Sequence, residues 1–447
     1  MEQKKSIGFG FRGWMLIIYQ FMAYLGMVCF TNWPMNALGD LYGGTQTLSS
    51  IFTVATVTGV IIQLILSRNV GKIKNIKVVS IVLGVISMAT ALGVMLIDPQ
   101  MQKLWQAFYF VTCLVISVWC TFVVGILIGQ WFPRRKGTIM GIATIAFPIG
   151  NALLSPFAGV VFANAQIGQF NVFGGYLPFF ILICVGILLG AIFVKDYPEQ
   201  CGCYRDNDRS MTPEIAQAMM QEEIENKKTT VWTFSRTLKC VDFWLITIPM
   251  GLLLLGAVGM MTQTTSLIGS YGYGPDSPQF GMIMLAVCVV ACLGSYVLGL
   301  IDTRIGTRKA MMIAVVLMIV AGILGSIHSF PCLVAALLVL GVFMGASSNF
   351  TVSGSVQYWR REDFPSVFAR VNPLANIIQA AGPMVIAMLL FRNGAPDPRG
   401  PFVLVGVCGV VSLVLLSLFK PGRIKAQDDK YRAEAGKPLD DALAGRK

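Results

Sequence analysis

One arginine lies where charged residues are rare, inside a long apolar run near the C-terminal end of the chain. Arg370 offers a guanidinium, which can hold a carboxylate through two parallel hydrogen bonds. Its alternative role is that of an interfacial residue whose stem lies in lipid while its head group reaches water. The same run contains Asn376 and Gln379, which share one helix face. Binding of a small carboxylate is therefore the first chemistry that the sequence suggests.

Other polar side chains occur inside apolar runs at helical spacing. Gln20 and Tyr24 are four residues apart, so they lie on one face of a helix. Tyr109 and Trp119 share a face in the same way, with Thr112 between them. The polar residues of interest in other apolar runs are Asn151, Gln263, Tyr296 and Asn349. Each of these side chains could line a polar path or only hydrogen-bond a neighbouring helix.

Acidic side chains are missing from the middle of the apolar runs. All 22 Asp and Glu residues fall in polar stretches or at the ends of apolar ones. Because intramembrane carboxylates commonly relay protons or bind cations, the sequence argues against an organic cation as substrate. A single histidine, His328, and the lack of a nucleotide-binding loop leave no catalytic set, so we expect no enzyme. Cys201 and Cys203 lack a third ligand, so we expect no metal and no cofactor.

The composition indicates an integral membrane protein. Charged residues make up 13% of the chain, about half the fraction of a soluble domain, so the surface must face lipid. Apolar stretches long enough to span a bilayer as helices recur throughout, and the short alternating segments of a barrel are missing. The predicted spans are at about residues 14–36, 49–67, 78–97, 104–130, 138–163, 176–194, 241–271, 279–301, 310–328, 331–358, 366–391 and 401–419.

The placement of the basic residues predicts the orientation of the chain. Of 34 Lys and Arg, all but Lys103, Arg392 and Arg399 lie in one set of loops and termini, so the net charge of +12 does not indicate a nucleic-acid partner. The positive-inside rule predicts that this set and both termini are cytoplasmic, in a plasma membrane that we expect to be bacterial. The predicted units are a six-helix bundle at 1–195, a cytoplasmic loop at 196–239 with a helix starting near Pro213, a second six-helix bundle at 240–420 and a disordered cytoplasmic tail at 421–447.

The two halves carry related landmarks. Trp131 opens a basic stretch that ends at Gly137, and Trp359 opens a similar stretch 228 residues later (359 − 131). Gly71 and Gly306 lie in basic loops 235 residues apart (306 − 71). Offsets near half of a 447-residue chain indicate two related halves.

Six plus six helices with a central loop and a half-chain repeat resemble the major facilitator superfamily. The stretch Trp131-Phe132-Pro133-Arg134-Arg135-Lys136-Gly137 resembles the loop between helices 4 and 5 of its oxalate/formate antiporter-like and monocarboxylate porter branch, and Tyr197-Pro198-Glu199-Gln200-Cys201-Gly202 is similar to the same branch. The superfamily motif between helices 2 and 3 is matched in the second half by Gly299, Asp302, Arg304, Gly306, Arg308 and Lys309. Around Gly71 the first half departs from this motif, because it has bases but no acid.

The resemblance implies an all-α membrane fold of twelve transmembrane helices in two pseudo-symmetric six-helix bundles, with the substrate near the midplane between them. It also implies that a basic residue on helix 11, here Arg370, holds the carboxylate of an anionic substrate. The substrate-binding residues expected on this basis are Gln20, Tyr24, Tyr109, Trp119, Asn151, Gln263, Tyr296, Asn349, Arg370, Asn376 and Gln379.

Charged loops that face each other in this architecture suggest a cytoplasmic gate. The basic loop at Gly71 would pair with Glu362 and Asp363, and the basic loop after Trp131 would pair with Asp302. The alternative is that the bases only set the topology. The gate residues expected are Gly71, Arg134, Arg135, Lys136, Asp302, Arg304, Arg308, Glu362 and Asp363.

The function expected from the sequence is that of a secondary transporter. It would move a small organic anion by alternating access, together with a proton or in exchange for a counter-anion. A carrier or efflux pump for a neutral or amphipathic compound, such as a steroid-like acid or a drug, is the alternative. A membrane sensor without transport is a further alternative, but it would need a signalling domain that the sequence does not show. We expect a monomer in the lipid bilayer.

Overall fold

The computed structural model describes residues 8–39, 41–67, 75–121, 126–132, 136–154, 171–208, 212–226, 230–274, 277–360, 363–392 and 394–436. Within these ranges every regular element is a helix, as the sequence predicts. Eleven helices are long and apolar enough to cross a membrane, and a shorter apolar helix lies at Gly141–Asn151. The twelve predicted spans therefore correspond to α1–α12, the last of which ends at Leu418.

The membrane helices of the first half are α1 to α6. They are α1 (Phe11–Ala37), α2 (Thr45–Ser67), α3 (Ile76–Leu96), α4 (Gln102–Thr121, followed by Ile128–Trp131), α5 (Lys136–Thr144, Ala146–Pro148 and Ile149–Leu154) and α6 (Asn171–Phe193). Short 3-10 turns precede α4 and follow α6. The buried apolar side chains of this half form one cluster, which runs from Leu16 to Val194.

The membrane helices of the second half are α7 to α12. They are α7 (Val241–Met261, followed by Thr264–Gly269), α8 (Pro278–Ile305), α9 (Thr307–Ser326), α10 (Phe330–Ser347 and Asn349–Tyr358), α11 (Phe364–Leu390) and α12 (Arg399–Leu418). A second apolar cluster, from Val231 to Ile424, is the core of this half. Two separate cores indicate two helical bundles.

Three further helices lie at the end of the bundle where α1 begins and α12 ends, which we name the terminal face. The linker helix covers Pro213–Asn226, close to its predicted start, and a short helix at Phe234–Lys239 follows it. The tail helix covers Pro421–Glu434. The end where α2 and α8 begin is named the distal face.

The predicted disorder of the tail is wrong over residues 421–434. Ile424, Asp428 and Arg432 are spaced by four residues, so they share one helix face, and this face is buried. Two of these three side chains are charged, so the buried face does not stand out as an apolar stripe. Ion pairs with Arg360 and Asp363 compensate the burial of these two charges. The composition of the tail alone could not reveal these ion pairs.

Glycine lets helices turn and approach at a few places. Gly306, between α8 and α9, has a φ of 89°, and a Cβ there would lie 2.7 Å from Gln357 Nε2. A side chain would be strained in this conformation, so glycine fits the tight connection. In α8, a Cβ at Gly294 would lie 2.2 Å from the Val342 carbonyl oxygen of α10. These two helices therefore cross at backbone contact distance.

Candidate functional site

A cavity lies between the two bundles, with a volume of about 90 Å³ open to the centres of water molecules. Its polar wall consists of Tyr24, Thr56, Gln63, Ser117, Asn151, Ser347, Ser348, Thr351, Asn372, Asn376 and Gln379. Its apolar wall consists of Met27, Val60, Cys120, Phe147, Leu254, Val258, Met261, Met344, Val352 and Phe368. Both halves contribute to it, so a change in their relative position would reshape it.

Hydrogen bonds between the halves close the distal side of this cavity. The Thr53 hydroxyl of α2 donates to the Ala380 carbonyl of α11 at 2.6 Å. Near the end of α7, Gln263 Nε2 donates to Ser49 Oγ at 3.2 Å. The Asn36 side-chain amide donates to a carbonyl of α7 at 3.4 Å. These bonds join groups that would separate if the distal side opened.

The terminal side of the cavity is closed mainly by apolar contact. Tyr24, Ala143 and Ala146 of the first half pack with Val352, Phe364 and Phe368 of the second. Beside this cluster the Thr144 hydroxyl and Asn349 Oδ1 lie 3.3 Å apart. Contacts between the halves thus lie on both sides of the cavity.

Two π-helical turns shape the first-half wall. They cover Val28–Asn32 in α1 and Ile149–Leu154 in α5, and they touch each other. Asn32 Nδ2 donates to Asn151 Oδ1 at 3.1 Å, and Trp33 Nε1 donates to the Gly150 carbonyl at 3.0 Å. Such turns are common at functional sites because they re-aim side chains. Here Asn151 reaches the cavity wall.

The second-half wall carries a stripe of amides on α11. Asn372, Asn376 and Gln379 are separated by four and three residues, so they project from one face into the cavity. Thr351 of α10 hydrogen-bonds Asn372 Oδ1 at 3.3 Å. Asn376 and Gln379 are predicted site residues, whereas Asn372 is not. The spacing from Asn372 to Asn376 was the signal that could have found it.

None of the described residues that line the cavity carries a charge. The wall instead offers hydroxyl groups and side-chain amides, which both donate and accept hydrogen bonds. A fully charged solute would have no opposite charge within this described wall to compensate its desolvation. The described wall therefore offers hydrogen bonds but no charge.

Three predicted site residues lie inside the first bundle instead. Tyr109 and Trp119 are fully buried, and their polar groups are used within the bundle. The Tyr109 hydroxyl donates to the Thr31 carbonyl at 2.6 Å, and Trp119 Nε1 donates to the Tyr19 hydroxyl at 2.9 Å. Gln20 is also fully buried and is not among the cavity residues. These side chains support helix packing, which was the alternative role.

Three predicted residues of other helices lie elsewhere. Tyr296 of α8 is 68% exposed on the outside of the bundle, because the face of α8 that meets α10 is the one with Gly294. Gln263 belongs to the distal contacts and Asn349 to the contact on the terminal side. Tyr24 is thus the one predicted tyrosine at the described cavity wall.

Arg370 does not line the cavity. Its Nη1 donates to the Trp232 carbonyl at 2.8 Å and to Thr237 Oγ1 at 2.7 Å. The guanidinium also lies over the Phe234 ring, 5.7 Å from its centroid. Only one to two turns of α11 separate Arg370 from the terminal face, so its long side chain reaches the linker more easily than the cavity. The prediction that it binds substrate is not supported by this placement.

Replacing Arg370 by glutamine is expected to loosen the segment that follows the linker helix. Hydrogen bonds from a charged donor contribute about 1.5–3 kcal/mol, so amide exchange over residues 231–239 should rise by at least about tenfold. Hydrogen–deuterium exchange measures this change. Arg392→Gln, an exposed arginine at the distal face, is the matched control. Equal exchange in the two variants would contradict the assigned role of Arg370.

The predicted gate is only partly described. Gly71, Arg134, Arg135 and Glu362 lie outside the described residues, as does the side chain of Lys136. The pairing of Asp302 with the loop after Trp131 therefore stays a prediction. Arg304 is exposed at the end of α8. Arg308 ties the second half together, because its guanidinium donates to the Leu416 and Ser417 carbonyls at 2.9 and 3.0 Å.

Among the described residues, the partners of Asp363 lie in the second half of the chain, and its predicted contact with the loop at Gly71 falls outside the described residues. Asp363 pairs with Arg432 of the tail helix at 2.5 Å and accepts hydrogen bonds from the Thr230 hydroxyl and the Val231 amide. Burial raises the pKa of Asp363, against the opposing effects of Thr230 and Arg432.

The tail helix holds a network of charges around Trp232. Asp428 accepts a hydrogen bond from Trp232 Nε1 at 2.9 Å and forms ion pairs with Arg360 and Arg432. The Trp232 ring packs edge-on against Trp359, at the end of α10. Together with Asp363 and Arg370, these charged and aromatic residues form one connected cluster at the terminal face. It joins the chain before α7, the loop before α11 and the tail into one unit.

The two helical bundles enclose a polar central cavity between them. A family model of the Major Facilitator Superfamily matches residues 250–444, which supports membership of that superfamily. No curated protein sequence matches the chain. The proposed oxalate/formate and monocarboxylate branch stays a prediction.

Solved structures show the same fold. The human organic anion transporter MFSD10 (TETRAN) superimposes with a TM-score of 0.63 at 14% identity, over 90% of this chain and 99% of that one. The proton:xylose symporter XylE superimposes with a TM-score of 0.65 at 12% identity, over 91% of this chain and 95% of that one. The chain thus has the twelve-helix fold of major facilitator proteins.

Proposed function

We propose that this protein is a secondary transporter that moves a small, uncharged, hydrogen-bonding solute through the central cavity by alternating access. The observation that supports this most is the described cavity wall, which is rich in amides and hydroxyls and free of charge. The fold, with a cavity shared by two bundles, supports the transport mechanism. We further propose that the terminal face is cytoplasmic, because it carries most of the basic residues.

The contacts between the halves support alternating access. Among the described residues, hydrogen bonds join the halves on the distal side of the cavity and an apolar cluster joins them on the terminal side. Breaking the distal set while keeping the terminal set would open the cavity to one side, and the reverse would open it to the other. Hydrogen bonds and apolar contacts that re-form on each cycle leave the two states close in free energy.

A small organic anion is the second candidate. Donors are present, since Tyr24 and the amides of α11 can offer O–H and N–H groups to a carboxylate. The fold is shared with a human organic anion transporter, and the candidate agrees with the resemblance in the sequence. An acid that entered in its protonated form would bring its own proton and leave the cavity neutral. Exchange for a second anion is the other mode of coupling.

Uptake into proteoliposomes tests the two candidates with matched solutes. Glucose and glucuronate, glycerol and glycerate, and lactamide and lactate differ mainly in one carboxylate. We expect uptake of at least one neutral member to exceed that of its acid by at least about tenfold at neutral pH, because an unpaired charge is costly to bury. Asn376→Ala, at the cavity wall, should reduce that uptake.

The same experiment separates the coupling modes. If the acids are taken up preferentially and an inward proton gradient stimulates them, the protonated-acid mechanism replaces the neutral one. If uptake of the acids requires acid preloaded inside the vesicles, an exchange mechanism replaces the neutral one. Uptake of no solute above protein-free vesicles would overturn the proposed transport of these classes.

A further inference from the structure

Gln63 lines the cavity and carries a buried acceptor without a hydrogen-bond partner among the described residues. It projects from α2 and is 4% exposed. Its Nε2 donates to the Ser117 carbonyl of α4 at 3.1 Å. Its Oε1 is buried and has no hydrogen-bond partner among the described residues. A buried acceptor without a partner costs about 1–3 kcal/mol, so this oxygen favours any solute that brings a donor.

The orientation of this amide is fixed by its neighbours. Reversing it would place Gln63 Oε1 against the Ser117 carbonyl oxygen, and two acceptors repel each other. The helices cannot easily separate to relieve this, because they meet closely at Gly59. A Cβ at Gly59 would lie 2.4 Å from Ser117 Oγ and 3.3 Å from the Leu114 carbonyl oxygen. Gln63 Oε1 is therefore held on the side of the amide that points away from the Ser117 carbonyl.

The neighbouring positions on the same face of α2 place weaker demands on a solute than Gln63 does. Thr56, Val60 and Gln63 are separated by four and three residues, and all three line the cavity. The hydroxyl of Thr56 can donate or accept, and Val60 offers only apolar contact. Gln63 is thus the position on this face that specifically requires a donor.

We propose that Gln63 is a specificity-determining residue whose Oε1 accepts a hydrogen bond from a hydroxyl or amide N–H group of the transported solute. This inference rests on the proposed function and narrows it to neutral solutes that carry a donor. A carboxylate oxygen at this position meets another acceptor and is disfavoured. An analogue whose hydroxyls are methylated leaves the acceptor unpaired and is disfavoured too.

The test uses the full-length protein in proteoliposomes, with glucose and glycerol as probes and their fully O-methylated analogues as competitors. In the intact protein, the free solutes should compete for uptake at least about tenfold better than the methylated ones.

Gln63→Met keeps the length of the side chain but removes the acceptor, and it should abolish this preference. Gln63→Asn moves the carbonyl back by one bond and should weaken it. Gln130→Met, a buried glutamine away from the described cavity wall, should preserve it.

The outcomes separate the inference from the proposed function. If glucose or glycerol is taken up and the preference survives in both Gln63 variants, the role of Gln63 is overturned while neutral transport stands. If neither probe is taken up by the intact protein, the proposed function fails for these solutes and the inference fails with it. Loss of the preference in Gln63→Met and a weaker preference in Gln63→Asn, with the preference kept in Gln130→Met, support the inference.

Discussion

Replacing Arg432 by methionine is expected to release the tail helix and to destabilise the second half by about 3–5 kcal/mol, because it leaves a buried charge without its partner. Arg432 and Asp363 are both buried, with side-chain exposures of 9% and 1%. Asp428 would keep Arg360, whereas Asp363 would keep only its hydrogen bonds from Thr230 and Val231. Thermal unfolding and hydrogen–deuterium exchange over residues 421–434 measure the effect.

Two further variants make this prediction sharp. Lys430→Met removes an exposed charge from the same helix and should change stability by less than about 1 kcal/mol. The double variant Arg432→Met with Asp363→Asn removes the stranded charge and should recover part of the loss. The prediction is wrong if Arg432→Met and Lys430→Met exchange at the same rate.

The Arg432→Met variant should also respond to pH in a defined direction. Burial raises the pKa of Asp363 above its value in the unfolded chain, and loss of Arg432 removes an effect that lowers it. The folded state then takes up a proton more readily than the unfolded state does. Stability of the variant relative to the intact protein should therefore rise as the pH falls through the raised pKa. Asp363→Asn in the same background should remove this dependence.

Gly294→Ala is the second substitution with a large expected effect. The new Cβ would lie 2.2 Å from the Val342 carbonyl oxygen and 2.6 Å from the Val342 Cα, which are backbone atoms that cannot rotate away. Helices α8 and α10 would have to separate, at a cost of about 1–3 kcal/mol or more. We expect a lower yield of folded protein and a lower midpoint of thermal unfolding in detergent.

The same helix offers a matched control for this substitution. Gly299 also lies in α8, and a Cβ there meets nothing within 4 Å. Gly299→Ala should be neutral or slightly stabilising, because alanine favours helix more than glycine does. If Gly294→Ala and Gly299→Ala unfold at the same temperature, the close crossing of α8 and α10 does not contribute to stability.

The fold could be predicted from the sequence because the physics of a membrane span is local. A run of about 20 apolar residues must be helical to satisfy its backbone in lipid, whatever surrounds it. The tail helix could not be predicted in the same way. Its buried face includes Asp428 and Arg432, and only partners nearly 70 or more residues away make that burial favourable. Composition indicates a disordered segment, whereas the three-dimensional contacts produce an ordered one.

The site could be predicted only in part, for a related physical reason. Tyr24, Asn151, Asn376 and Gln379 reach the cavity wall, but Tyr296 faces outward. In a membrane helix the lipid-facing side and the packed side are both apolar, so the sequence gives little information about which face points inward. A stripe of polar residues is the better signal, and the amides of α11 show it. Gln63 stands alone among apolar neighbours in the sequence, and only its contact with α4 suggests the role that we propose for it.

The uncharged wall of the described cavity also has a consequence for the energy sources that could drive the proposed transport. An electric field acts only on charge that moves across the membrane, and about 2.3 kcal/mol is available per elementary charge at 100 mV. A neutral solute held by the described amides and hydroxyls adds no such charge to the translocation step. If the proposed neutral solute crosses alone, the membrane voltage does no work on that step, so accumulation requires a co-transported or exchanged species, and the voltage contributes only through any charge that this species carries.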